Sequence, residues 1–159
     1  MMKQVINMTN SEMNLSKILS LIPNRAHIKI HGCFRLTVMP GWKKELQNNT
    51  DQHILFVKSG IGKYWFEGKE EVLEKGKIVY VSSGCPHHAW HDPENPLVIT
   101  GLRFGFYDNT SHYLLPLPCD PFHISIKVDD VEFYDKLCSS INDSYYFIDT
   151  HVNQLLCSS

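Results

Sequence analysis

Histidine is the side chain here best suited to chemistry near neutral pH, and the 159 residues contain nine. Three stand in strand-like runs: His53 heads His53-Ile-Leu-Phe-Val-Lys-Ser-Gly60, and His87 and His91 lie in Pro86-His-His-Ala-Trp-His91. Successive strand residues alternate faces, so His87 and His91 share one. Neutral imidazole is the commonest metal ligand, so His53, His87 and His91 could hold a metal ion. They could equally hydrogen-bond a polar molecule, or be satisfied in turns at a barrel rim. Arg35 and Arg103 also fall inside strand patterns. An inward arginine needs a partner, because an unpaired buried charge is costly; a carboxylate or hydroxyl-rich ligand, or a salt bridge, would serve. Trp65 is a candidate wall or plug, whereas Trp90 differs in parity from His87 and is expected outside. His88, His112, His123 and His151 read as surface or packing residues.

Other catalytic machinery is missing. There is no Gly-x-Ser-x-Gly, no phosphate-cradling glycine loop and no facing pair of carboxylates. The five cysteines are odd in number and scattered without C-x-x-C, which disfavours a disulfide framework or structural zinc; they read as reduced thiols of a cytoplasmic protein. A formal charge of −2 offers no basic face for nucleic acid. No signal peptide is evident, and no stretch approaches the ~20 apolar residues of a membrane span.

The elements that must position these side chains are mostly short strands. Turn signals every eight to twelve residues between Gly41 and His91 indicate an all-β barrel or sandwich. Ahead of it, Ser11 to Ile22 is expected to be a helix with Ser11 as N-cap, ended by Pro23-Asn24. Strands are expected at Ala26–Ile30 and Cys33–Met39, with His31-Gly32 as a tight turn between them. Phe34, Leu36 and Val38 then share one face and Arg35 the other. Lys43 to Gln52 is polar and expected to be a loop. Strands follow at His53–Lys58, Gly62–Phe66, Glu71–Glu74, Ile78–Val81, His87–His91, Leu97–Phe106 and Phe122–Val128. Asp129 with Glu132 can form a capping box for a helix carrying Leu137 and Ile141. Asn142-Asp143-Ser144 is expected to break it and start a second helix with an apolar stripe of Ile148, Val152, Leu155 and Leu156. That stripe has no C-cap, as expected of a helix that continues.

The central stretch resembles a cupin. Gly76, Ser82, Gly84, His87 and His91 fall at the five positions of the second cupin motif, with serine for its proline and histidine for its asparagine. Gly41, Gln47, Asn49, His53 and Gly60 fall at the positions of the first. There Gln47 and Asn49 replace the two histidines, and His53 replaces the glutamate. The resemblance implies a double-stranded β-helix (jelly-roll barrel) and places His87, His53, Gln47 and Asn49 inside it. Cupin metal sites use three histidines and a carboxylate, and Gln and Asn are weak ligands for a borderline transition metal. The expectation is therefore a metal-free pocket without cofactor, in which His87, His53, Gln47, Asn49, Trp65, Arg35 and His91 contact a ligand.

A narrower resemblance covers roughly residues 25 to 159. The string His53-Ile-Leu-Phe-Val-Lys-Ser-Gly-Ile-Gly62, then Gly76-Lys-Ile-Val-Tyr-Val81 and Gly84-Cys-Pro-His-His88, followed by a prolyl loop and helices, looks like the N-terminal sensing domain of AraC-family transcription regulators. That resemblance implies a non-enzymatic, cytoplasmic, mainly β protein. Residues 1–24 would form an arm and short helix, 25–128 a cupin-like barrel, and 129–159 two helices that pair a homodimer through Leu137, Ile141, Ile148, Val152 and Leu155. The implied partners are a small-molecule effector, for example a sugar, and DNA through a C-terminal helix-turn-helix domain absent from this chain. The alternatives are a metal-dependent cupin enzyme (isomerase, epimerase or dioxygenase) and a stand-alone metabolite-binding cupin.

Overall fold

Period-two burial organises the structure, a computed structural model that describes residues 9–22 and 24–157, with side chains described through 147. Its elements are α1 (Asn10–Leu19), β1 (Ala26–Thr37), β2 (Lys43–Asn48), β3 (Gln52–Ser59), β4 (Gly62–Phe66), β5 (Lys69–Leu73), β6 (Lys77–Val81), β7 (Pro86–His91), β8 (Val98–Asp108), β9 (His123–Lys127) and α2 (Val131–Cys157). The strands form two antiparallel sheets, ordered β1-β8-β3-β6-β9 and β2-β7-β4-β5, facing each other as a jelly roll. A mainly β double-stranded β-helix is thus present.

The five-stranded sheet is apolar on both faces because both are covered. Leu55, Val57, Val79, Val81 and Ile99 point inward and meet Tyr64, Phe66, Leu73 and Ala89 of the other sheet. The intervening residues Tyr80, Phe104 and Phe106 point outward and meet Ile18, Leu15 and Ile22 of the N-terminal segment. Phe56, also outward, packs on Tyr134 of α2 with ring centroids 6.4 Å apart. Between β3 and β4, Gly60 has φ +89°, and a Cβ there would strike the Pro96 carbonyl and Leu97 Cα. Only glycine combines that backbone conformation with that close approach.

Several boundaries differ from expectation. Thr9, not Ser11, caps α1, forming a capping box with Glu12. Pro23 lies outside the described residues. His31-Gly32 is not a turn: β1 runs unbroken from Ala26 to Thr37, and a bulge between Ile30 and Gly32 absorbs one extra residue. Lys43–Asn48 is not a loop but an edge strand paired with β7, and it too carries a bulge, between Lys44 and Gln47.

The C-terminal segment is one helix, not two. α2 is continuous through Asn142-Asp143-Ser144. Its first turn is capped by Asp130, whose Oδ1 accepts from the Phe133 N–H at 3.0 Å, one residue beyond the expected cap at Asp129. Weak helix formers such as Asn, Asp and Ser cost only tenths of a kcal/mol each, and anchoring on both sides of the segment outweighs that. Upstream, Asp135 binds Arg35 and Lys58; downstream, the Tyr145 and Tyr146 hydroxyls donate to the His31 and Cys33 carbonyls at 3.2 and 3.0 Å.

Candidate functional site

Inside the barrel lies a cavity of about 490 Å³, lined by Phe34, Leu36, Trp42, Lys44, Gln47, Asn49, His53, Leu55, Tyr64, Ile99 and Arg103, with Lys43 and Glu45 at its edge. Volumes of this order hold a small organic molecule. The wall is mainly apolar, as two facing inward sheet faces require. Gly101 on β8 makes room for one part of it: a Cβ there would overlap the Phe34 ring.

The polar groups come from four strands, β2, β3, β7 and β8. On β7 the inward residues are His87, Ala89 and His91, with both histidines essentially unexposed. The His87 Nδ1 lies 2.9 Å from the Cys85 carbonyl, an acceptor only, so Nδ1 carries the proton. Its Nε2 then presents a lone pair, and the Lys44 Nζ donates to it at 3.0 Å. Burial holds His87 below its ordinary pKa, and Lys44 adds to this against the opposing Cys85 hydrogen bond. Lys44 faces inward because of the β2 bulge. It pairs with Ala89, Gln47 pairs with His87, and the extra residue between them puts an even and an odd position on the same side.

On β3, His53 is 5% exposed, and neither ring nitrogen has a hydrogen-bond partner. Burial, aided by Lys44, His87 and Arg103, lowers its pKa to about 3, so it is neutral at pH 7. Its cross-strand neighbour on β8 is Arg103. That guanidinium binds the buried Asp51 through Nε and Nη2 at 3.2 and 3.0 Å, and His31, placed by the β1 bulge, lies 3.1 Å from the other oxygen. Burial pushes the Asp51 carboxyl up, but the His31 and Arg103 hydrogen bonds outweigh it and leave its pKa low.

Of the expected ligand residues, the structure brings Gln47, Asn49 and His53 to the cavity wall. His87 and His91 lie behind it, His87 covered by Lys44 and His91 edge-on to Trp42 at 6.0 Å. Arg35 and Trp65 are elsewhere. Arg35 points outward from β1, and its Nη2 donates to both oxygens of Asp135 of α2 at 2.8 and 3.0 Å, with Ser139 alongside. Trp65 points outward from β4 and stacks on His88 at 4.8 Å. Trp90 is 39% exposed, on the outer face as its parity requires. Lys44, Trp42 and Phe34 are wall residues that the sequence reading passed over. Phe34 was legible from its alternation; Lys44 was hidden by the bulge. At α2, Leu137 is exposed and Ile141 half-buried, while the side chains of Ile148, Val152 and Leu155 lie outside the described residues.

Residues 34–102 match the family model described as Cupin domain. Among solved structures, the protein YhaK from Escherichia coli aligns with a TM-score of 0.51 at 12% identity, over 65% of this chain and 44% of that one. The bacterial pirin YhhW from Escherichia coli, solved in complex with nickel(II), aligns with a TM-score of 0.51 at 10% identity, over 80% and 48%. The fold is that of a cupin. This chain spans less than half the length of either of those two proteins. A comparison with curated proteins found no match.

The residues at the cupin ligand positions do not fit a divalent cation. Gln47 and Asn49 are poor donors, and an ammonium group already occupies the lone pair of His87. A second cation there would face Lys44 and Arg103. Among the described residues, no three His, Cys, Asp or Glu side chains gather as a metal site would require. In this barrel the cation facing His87 is a lysine.

Proposed function

We propose that the chain is the effector-sensing and dimerisation module of an AraC-type transcription regulator. A small metabolite binds in the metal-free cupin barrel, and occupancy controls DNA binding by a C-terminal helix-turn-helix domain. The carrying observation is the interior cavity whose polar groups, Lys44 over His87 together with His53, suit a bound molecule better than an ion or a reaction. A route from cavity to helix supports the reading. Phe34 lines the cavity, and its neighbour Arg35, on the opposite face of the same strand, holds α2 through Asp135. A ligand that shifts β1 therefore acts on α2, where exposed Phe133 and Leu137 offer an apolar surface to a second subunit. The free thiols of Cys33, Cys85, Cys119 and Cys138 suit a cytoplasmic setting.

The test is a thermal-shift screen of neutral sugars, sugar acids, amines and aromatic acids, followed by sedimentation of the protein with and without any hit. A saturable rise in Tm and a dimer whose association constant changes on binding are expected. Stoichiometric iron, manganese, nickel or zinc in the purified protein, with no small-molecule response, overturns the reading in favour of a metal enzyme.

A further inference from the structure

Among the described residues, the charge inside the cavity is not balanced. Lys43 and Glu45, both exposed at the rim, pair with each other at 3.1 Å. Arg103 is balanced by Asp51. Among the described residues Lys44 has no carboxylate in contact; its hydrogen-bond partner is the neutral imidazole of His87. One positive charge is left over, on a half-buried side chain drawn from an edge strand into the barrel. Removing a cation from water without a counter-charge in contact is costly, and the one anion acting on Lys44, Asp51, is already paired with Arg103. Burial, with Arg103 nearby, drives the Lys44 pKa down against the weaker pull of Asp51.

A second observation points at the same place. His53 lines the cavity, is 5% exposed, and has no partner on either ring nitrogen. Buried polar atoms are nearly always paired, so two orphaned nitrogens beside an unbalanced ammonium mark a place for a polar ligand. A neutral imidazole can donate one hydrogen bond there. Lys44 has N–H groups beyond the one spent on His87, and Arg103 has N–H groups beyond the two spent on Asp51. The rest of the wall is mainly apolar, with Gln47, Asn49 and Tyr64 its other polar side chains.

We propose that the cavity binds a small monocarboxylate, its anionic end seated on Lys44 with His53 and Arg103 donating beside it, and its apolar body against Phe34, Leu36, Trp42 and Ile99. This rests on the receptor reading above and narrows its ligand from metabolites at large to organic acids of single negative charge. The residual charge selects a monoanion over a phosphate ester. The apolar wall selects a hydrocarbon or aromatic body over a sugar.

Matched probes test it: benzoate, phenylacetate and hexanoate against benzyl alcohol, 2-phenylethanol and 1-hexanol, with arabinose, glucose and inorganic phosphate, all at constant ionic strength. Binding is read by Tm and by Trp42 fluorescence. At least one carboxylate is expected to raise Tm by several degrees at millimolar concentration while its alcohol does not. Lys44→Met is expected to weaken that response at least tenfold and to raise the Tm of the ligand-free protein, because an unbalanced charge is gone. Lys44→Arg is expected to retain part of the response. Alcohols or sugars binding as well as the acids, and still binding in Lys44→Met, overturn the carboxylate assignment and leave the receptor reading standing. A response to phosphate alone also overturns it. Silence to every class, with Lys44→Met less stable than the parent, removes both.

Discussion

Two charged clusters, one on the outer face of the five-stranded sheet and one between the two sheets, are built in opposite ways. On the outer face, the Arg35 Nη2 donates to both oxygens of buried Asp135, and Lys58 donates at 2.7 Å. Burial pushes its carboxyl up, yet these hydrogen bonds outweigh it and hold the pKa low. Inside the barrel, among the described residues, Lys44 hydrogen-bonds neutral His87, and the ring nitrogens of His53 have no partner. The first cluster is complete without any other molecule, and it fastens α2 to β1 and β3. The second is incomplete as the protein stands. A satisfied buried charge reads as architecture; an unsatisfied one reads as a place kept for something else.

The comparison can be broken most directly at Asp135. Asp135→Ala leaves two cations facing an apolar helix surface and is expected to cost about 2–3 kcal/mol in chemical denaturation. That is below the figure for a fully buried pair, because the Arg35 and Lys58 side chains remain 30% and 40% exposed. A neutral result would show that the outer cluster is no more structural than the inner one.

Acidification probes the inner cluster. The folded His53 pKa, about 3, lies below its unfolded value of 6.5, so the unfolded chain takes up the proton first. Stability is therefore full above pH 6.5 and declines as the pH falls toward 3. His53 alone accounts for about 2 kcal/mol between pH 7 and pH 5. Urea unfolding at those two pH values should show the loss, and His53→Gln should remove most of it. His87 and His123, also shifted down by burial, contribute in the same direction. A stability that rises on acidification would contradict a neutral, buried His53.

Gly101→Ala sharpens the comparison at the cavity wall. The added methyl displaces the Phe34 ring, at an expected cost of about 1–2 kcal/mol from overpacking, and it lowers ligand affinity by narrowing the cavity. Calorimetric titration of any hit separates the two effects. The smallest change is expected at Trp65→Ala. Its ring stacks on His88 outside the barrel, so stability should fall by no more than about 1 kcal/mol with ligand affinity unchanged. A lost ligand response there would move the site out of the barrel.

Much of the fold was legible in the chain. Strands β3, β4, β6, β7 and β8 lie where hydrophobic runs bounded by Gly, Pro and Asp place them, because short buried strands advertise themselves by composition. Alternation also put Phe34 and Arg35 on opposite faces and Trp90 outside. Applied consistently, it would have excluded Arg35, which has the opposite parity to Phe34 on the same strand, and Trp65, which alternates with inward Tyr64 and Phe66. The bulges were not legible. At His31 an extra residue looked like a turn, and at β2 a polar edge strand looked like a loop. An edge strand has one hydrogen-bonded neighbour and little burial, so its sequence is under little apolar pressure.

By itself the sequence determined a series of short buried strands and a shared face for His87 and His91, for which local alternation suffices; the inward positions and the poor donors at metal-ligand positions followed from the resemblance to cupins. Tertiary structure decided what those residues amount to. The β2 bulge turned Lys44 inward onto His87, cross-strand pairing set Arg103 beside His53, and contacts with β1 kept α2 whole through a stretch of poor helix formers. Each depends on groups distant along the chain meeting in space, and a one-residue slip in strand register would send the same side chains to the other face.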